Sequence, residues 1–395
     1  MSAPARVALA RPGSIRLEAL PPLSLYVHMP WCVRKCPYCD FNSHEKKGDL
    51  PEDAYCTALI ADLEHALPWI WGRRVYSIFF GGGTPSLFSA RSIDRLLSEF
   101  RSRLPLAADA EITLEANPGT FEAQKFRDYR ACGVNRLSIG IQSFNDAHLR
   151  ALGRIHSADE ARHAIEIAKA SFGNLNLDLM YGLPGQTAGE AQADIEEGIR
   201  WDTTHLSAYQ LTLEPNTAFY SHPPKLPGHD AAAAMQETAE AMLGAAGFQH
   251  YETSAFARPE MRCRHNLNYW QFGDYLGLGA GAHGKISFPD RVERHSRAKQ
   301  PREYLAMAPE GRSIVEHKAV APNELPFEFM LNALRLVGGF PVALFRERTG
   351  IELPAVEAAL AKGEALGLVE RDWQTIRPTP RGQRFLNDLL ELFLP

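Results

Sequence analysis

The stretch LSLYVHMPWCVRKCPYCDF, residues 23–41, runs a β-type segment straight into three crowded cysteines. Leu23 to His28 is short, apolar and bounded by prolines, the composition of a buried strand. Cys32, Cys36 and Cys39 follow with C-x3-C-x2-C spacing, and Phe41 stands where a fourth thiol would complete a tetrahedral site. Structural zinc is nearly always four-coordinate, so zinc here would need His28 or His44 as well. The same spacing lets three thiolates reach three corners of a cubane iron–sulfur cluster, leaving one iron for an outside chelator. Both readings stand on the residues alone.

Outward from this loop, strand-like runs alternate with helical patterns. LSLYVH (23–28), VYSIFF (75–80), EITLEA (111–116), RLSIGI (136–141), NLDLMYG (176–182) and HLSAYQLTL (205–213) read as strands. Between them, segments such as DAYCTALIADLEHAL and SADEARHAIEIAKAS carry apolar residues at helical spacing, two of the helices stopping at Gly133 and Gly173. This alternation implies right-handed βαβ crossovers and a parallel sheet, as a partly closed α/β barrel or an open doubly wound sheet. Ligands sit at the C-terminal strand ends in both. The cysteine loop, GGGTP (81–85), NPGT (117–120), Gln142 and YGLPGQT (181–187) follow successive strands, so they converge on one rim.

The whole chain sets bounds on function. Its 395 residues, 45% hydrophobic and 23% charged, read as ordinary globular composition. A net charge of −5 gives no electrostatic case for nucleic acid, and the absence of a long apolar run leaves at most peripheral membrane association. Six cysteines with three in one loop suit a metal site in a reducing cytoplasm better than a disulfide framework; Cys56 and Cys132 read as small buried hydrophobes. Residues 1–22 form a Pro-rich leader without a signal-type apolar core. The expected organisation is then a barrel core over 23–216, an extension over 217–320 and a C-terminal region over 321–395. That last region reads helix, turn, helix and hairpin, like a winged helix. It carries eight Lys/Arg against ten Asp/Glu, with no basic stripe for a DNA groove, so a structural or lid role is expected.

The cysteine spacing after a first strand resembles the signature of the radical S-adenosylmethionine (SAM) family, including the aromatic Tyr38 before the third cysteine. The resemblance implies a partial (β/α)6 barrel, a [4Fe-4S] cluster on Cys32, Cys36 and Cys39, and SAM chelating the open iron. It also implies SAM contacts from Gly82, Gly83 and Thr84 of GGGTP, from Glu115, and from Gln142, Arg154 and Asp178. Tyr26 and Tyr38 are candidates to pack against an adenine. Arg suits a carboxylate and Asp a ribose hydroxyl or ammonium.

Within that family, LYVHMPWC, GGGTPSL, GVNRLSIGIQSFND, LGRIHS, DLMYGLPGQT and LSAYQLTLEPNT resemble the group of oxygen-independent coproporphyrinogen III oxidases and their haem chaperone relatives. Two features separate the branches. The oxidase pattern has a further cysteine where Phe41 stands, whereas the chaperone pattern has H-N-x-x-Y-W, matched by His265, Asn266, Leu267, Asn268, Tyr269 and Trp270. Both point to the chaperone branch. That resemblance implies haem held near His265, Asn266, Tyr269 and Trp270, with Cys263 and His283 as further conceivable ligands. The expected partners are haem, SAM and haem-acceptor proteins, with the chain a monomer or dimer. The alternative expectation is radical decarboxylation of two porphyrinogen propionates.

Overall fold

The computed structural model describes residues 15–119 and 123–395. Six strands lie side by side in chain order and pair in parallel: β1 (Leu23–Met29), β2 (Val75–Gly82), β3 (Leu106–Ala116), β4 (Arg136–Gln142), β5 (Leu175–Tyr181) and β6 (His205–Gln210). A doubly wound sheet reverses its strand order at a switch point. This one does not, so the wall is that of a partial barrel. Residues on both faces of β1, β4 and β5 are buried, which explains their near-continuous apolar runs.

The crossovers are α1 (Glu52–Ile70), α2 (Ala90–Arg103), α3 (Ala123–Cys132), α4 (Ala158–Lys169) and α5 (Ala188–Arg200). Ser89, Ser157 and Thr187 cap α2, α4 and α5, the last two in capping boxes with Glu160 and Glu190. Gly133, at φ 111°, takes the left-handed conformation that ends α3. Thr120, the last residue of NPGT, lies outside the described residues, as do residues 1–14 of the leader.

The sheet grows at both edges to twelve strands. Asp274–Leu278 pairs in parallel with β1, and three antiparallel strands follow it outward. Beyond β6, the stretch QHYETSAFA folds as a hairpin, Gln249–Glu252 with Ala255–Ala257, where one strand was expected. One apolar core lies between the sheet and the crossover helices. A second joins helices Leu325–Ala333, Val342–Thr349 and Glu357–Ala365, and a small three-stranded sheet runs beside them. Ile15 and Leu17, expected as part of a Pro-rich leader, are buried in this second core, which also takes in Phe272 and Val292.

Candidate cofactor site

The cysteine loop hangs from the C-terminal end of β1. Trp31–Cys32 pairs in parallel with His44–Glu45 and closes the base of the loop. Inside it, Cys39 N–H donates to Cys36 O at 3.2 Å and Ser43 N–H to Phe41 O at 2.7 Å. The three thiols are half-buried and unbridged. Burial pushes the Cys32 and Cys39 thiols up from their ordinary pKa. Thr84 Oγ1 points a hydroxyl at Cys32 Sγ (3.5 Å), and Arg154 Nη1 approaches Cys36 Sγ at 3.9 Å. Asn117 ties those two donors together, giving Nδ2–H to Thr84 Oγ1 at 2.9 Å and taking a bond from Arg154 Nη2 at 2.6 Å.

The histidines that a zinc reading needs are engaged elsewhere. His28 meets Tyr26 Oη at 2.9 Å and Asn42 O at 2.9 Å through its two ring nitrogens, and His44 Nε2 lies 3.3 Å from Lys299 O. Among the described residues no three His, Cys, Asp or Glu side chains form a group that could hold a single ion. Three free thiols on one loop, with no fourth protein ligand among the described residues, fit a cubane with one open iron. Phe41 is 58% exposed at the mouth of the cavity below.

GGGTP is stitched to the chain entering the loop: Gly83 N–H donates to Met29 O and Thr84 N–H to Trp31 O, both at 2.8 Å. A methyl on Gly83 would lie 2.6 Å from Trp31 O, so only glycine allows this approach. Gly82 N–H donates to Glu115 Oε2 at 3.2 Å. Burial, helped by the charge of Asp178, pushes the Glu115 carboxyl up to about 8. Asp178 accepts from Ser138 Oγ at 2.9 Å, from Asn176 Nδ2 at 2.8 Å and from Tyr209 Oη. Gln142 ends β4 in the left-handed region, at φ 69°, and its buried Oε1 has no partner among the described residues.

A cavity of about 440 Å³ collects this set. Cys32, Cys36, Tyr38, Cys39, Gly82, Gly83, Thr84, Glu115, Gln142, Arg154 and Asp178 all line it. Tyr26 does not; its ring stacks on Phe79 (6.3 Å, 24°) behind the wall. Tyr38 packs near Phe219 (6.4 Å) and Met180 on the far side of the mouth. Asn117, Asn176 and Tyr209 also line it and were missed in the sequence. NPGT was visible as a rim loop, which is the one signal that could have found Asn117.

The haem candidates lie lower, on helix Arg264–Trp270, and only Asn266 among them lines the cavity. His265 is 1% exposed, with Nδ1 3.0 Å from Ser77 Oγ and Nε2 3.1 Å from Tyr269 Oη. Its ring stacks on Phe79 (4.9 Å, 26°), itself a wall residue, so the imidazole stands one ring behind the cavity. Burial, then the charge of Arg136, pulls its pKa down to about 3. Trp270 lies under the Arg335 guanidinium at 4.4 Å. Cys263 is buried against Glu111, and His283 starts the antiparallel strand His283–Phe288.

A parallel six-strand wall with three free thiols after its first strand, and a built ligand cavity beneath them, is the arrangement of a radical SAM protein. In agreement, the model of the radical SAM superfamily matches residues 26–197, and that of the HemN C-terminal domain matches residues 320–385. The heme chaperone HemW of Escherichia coli is 50% identical over 95% of this chain and 99% of its own length, and HemW of Haemophilus influenzae 49% identical over 96% and 99%. Coproporphyrinogen III oxidase (HemN) of E. coli, a radical SAM enzyme, superposes with a TM-score of 0.80 at 25% identity, over 95% of this chain and 90% of that one. The chain belongs to the HemW family.

Proposed function

We propose that this chain binds haem and passes it to acceptor haemoproteins in the cytoplasm, with Cys32, Cys36 and Cys39 holding a [4Fe-4S] cluster whose open iron takes SAM. The observation that carries it is full-length likeness to HemW in a chain whose cavity mouth has three thiols and Phe41, not a fourth thiol. The cluster with SAM supplies one-electron chemistry when bound. The chain's own residues orient the ligands. Gly82, Gly83 and Thr84 offer close backbone and a hydroxyl, while Glu115 and Asp178 suit an ammonium and ribose hydroxyls. Gln142 lines the cavity with a buried amide oxygen that has no partner among the described residues, and Arg154 braces Cys36. Asn266 is the haem-motif residue that faces the cavity; ligation by His265 requires its ring to give up Tyr269 Oη at Nε2 or Ser77 Oγ at Nδ1. No helix among the described residues is long and apolar enough to cross a membrane.

The backbone likeness to HemN favours a second reading, oxidative decarboxylation of coproporphyrinogen III. The discriminating experiment is anaerobic cluster reconstitution followed by two assays. The chaperone reading expects a Soret shift on haem titration and no formation of protoporphyrinogen IX with SAM and reductant. Turnover of coproporphyrinogen III refutes it. A Soret shift unchanged in His265→Ala moves the haem ligand away from His265.

A further inference from the structure

Inward-facing residues of β4 alternate from floor to rim: Arg136, Ser138, Gly140 and Gln142 all line the cavity. At about 3.3 Å per residue, this file spans roughly 20 Å. Its upper end belongs to the SAM set. Its lower end is the Arg136 guanidinium, which makes no ion pair among the described residues.

Arg136 is 2% exposed, and its Nε has no hydrogen-bond partner among the described residues. No ion pair or side-chain hydrogen bond satisfies the rest of the group there; Cys263, Glu111, Tyr251 and Asp178 act on it only through space. The two carboxylates in range are occupied by other donors. Glu111 accepts from Arg264 N–H, His265 N–H and the Cys263 thiol, and Asp178 from Ser138, Asn176 and Tyr209. The third floor carboxylate, Glu252, lies 3.6 Å from Arg335 instead. Beside Arg136, its register partner Thr113 has a buried hydroxyl that is also unpartnered among the described residues. Glu111 and Asp178 favour the charge from a distance, so what the guanidinium lacks is a hydrogen-bonding partner, and a buried donor group that lines a cavity gains one from what the cavity receives.

We propose that the floor of the cavity is a carboxylate-binding subsite centred on Arg136. A guanidinium offers a planar fork to a carboxylate, and Asn176, Ser207 and Asn266 line the same floor with polar groups to orient it. A SAM that chelates the cluster through its own carboxylate occupies the opposite end of the file, so the floor takes the carboxylate of another molecule. The haem reading, on which this source rests, makes it a propionate; a further SAM, through its amino-acid end, is the other source of the same chemistry.

The test uses the full-length, cluster-reconstituted protein and its Arg136→Gln and Arg136→Lys variants, with cluster absorbance and thermal melting as folding controls. Haem, haem dimethyl ester and SAM are titrated separately. The expected result is that wild type prefers haem to its diester, and that Arg136→Gln weakens haem by about tenfold or more while leaving the diester unchanged. Arg136→Lys, which keeps the charge but loses the fork, lies between them and serves alone if the Gln variant does not fold. Loss of SAM binding without loss of haem binding supports the subsite with SAM as its source. Unchanged affinity for both ligands in a folded variant overturns it. Wild-type protein that takes up no haem at all defeats the proposed function, while the SAM titration still decides the subsite.

Discussion

Glu115 shows how much of the site is set by a single environment. Its carboxyl lies beside a second acid, Asp178, and is pushed from 4.5 up to about 8, chiefly by burial. In the folded chain it stays protonated below that value, whereas in the unfolded chain it ionises above 4.5. Stability of the SAM-free protein therefore falls as pH rises from 4.5 to about 8 and then levels, by a few kcal/mol at most. Binding has the opposite sign, because SAM, with its sulfonium, is cationic and favours the ionised carboxylate. SAM affinity should rise with pH toward 8 and release a proton, and Glu115→Gln should flatten both profiles. Calorimetric titration in buffers of different ionisation enthalpy reads the proton directly; a profile identical in Glu115→Gln removes Glu115 from the site. The thiols give a second expectation at this scale. Cys32→Ala, Cys36→Ala and Cys39→Ala each lose the cluster absorbance, while Cys56→Ala and Cys132→Ala keep it. These residues were legible because their chemistry repeats as a spaced motif. Asn117 and Arg136 were not, since a bridging amide and an unpaired guanidinium declare themselves only by what surrounds them.

Elements were legible wherever periodicity was long. All six barrel strands and their five crossovers stand where the alternation put them, because each strand is buried and each helix has an apolar face. The hairpin at 249–257 escaped because its turn, Thr253–Ser254, carries neither Gly nor Pro. Strand Asp274–Leu278 escaped for the converse reason: it is crowded with glycines, of which Gly277 lets the next strand approach closely, an added Cβ there meeting His283 O at 2.0 Å. Two glycine substitutions separate close approach from mere flexibility. Gly83→Ala drives a methyl into Trp31 O and pulls GGGTP away from the cysteine loop, with a loss of about 1–3 kcal/mol and weaker SAM binding. Gly189→Ala, in α5 with nothing within 4 Å, should gain up to about 1 kcal/mol from helix propensity. Paired thermal melts test both, and a Gly83→Ala protein as stable as wild type removes the packing argument for that loop.

At the scale of the molecule, the barrel core and the tail core are distinct apolar clusters, and the second draws in residues from far along the chain. The winged-helix-like pattern was legible in the tail, but its closing contacts were not. Ile15 and Leu17 sit in a Pro-rich segment with no periodicity, and only the fold shows them buried in the core that also holds Phe272 and Val292. Within the tail, Glu357 and Glu364 on its third helix hold Arg371 of the hairpin. The N-terminal segment thus acts as a clasp between extension and tail, with Leu17 N–H bonded to Pro289 O of the extension at 2.9 Å and Glu18 paired to Arg346 of the tail at 3.0 Å. Leu17→Asp puts a carboxylate into this core and should cost about 2–4 kcal/mol, felt first by the tail. Hydrogen exchange should speed up over residues 320–395 while β1–β6 stay protected and the cluster absorbance remains. Glu18→Ala removes only an exposed ion pair and should change stability by less than about 1 kcal/mol. If Leu17→Asp instead unprotects barrel and tail together, the two cores fold as one cooperative unit, and the clasp belongs to the whole molecule.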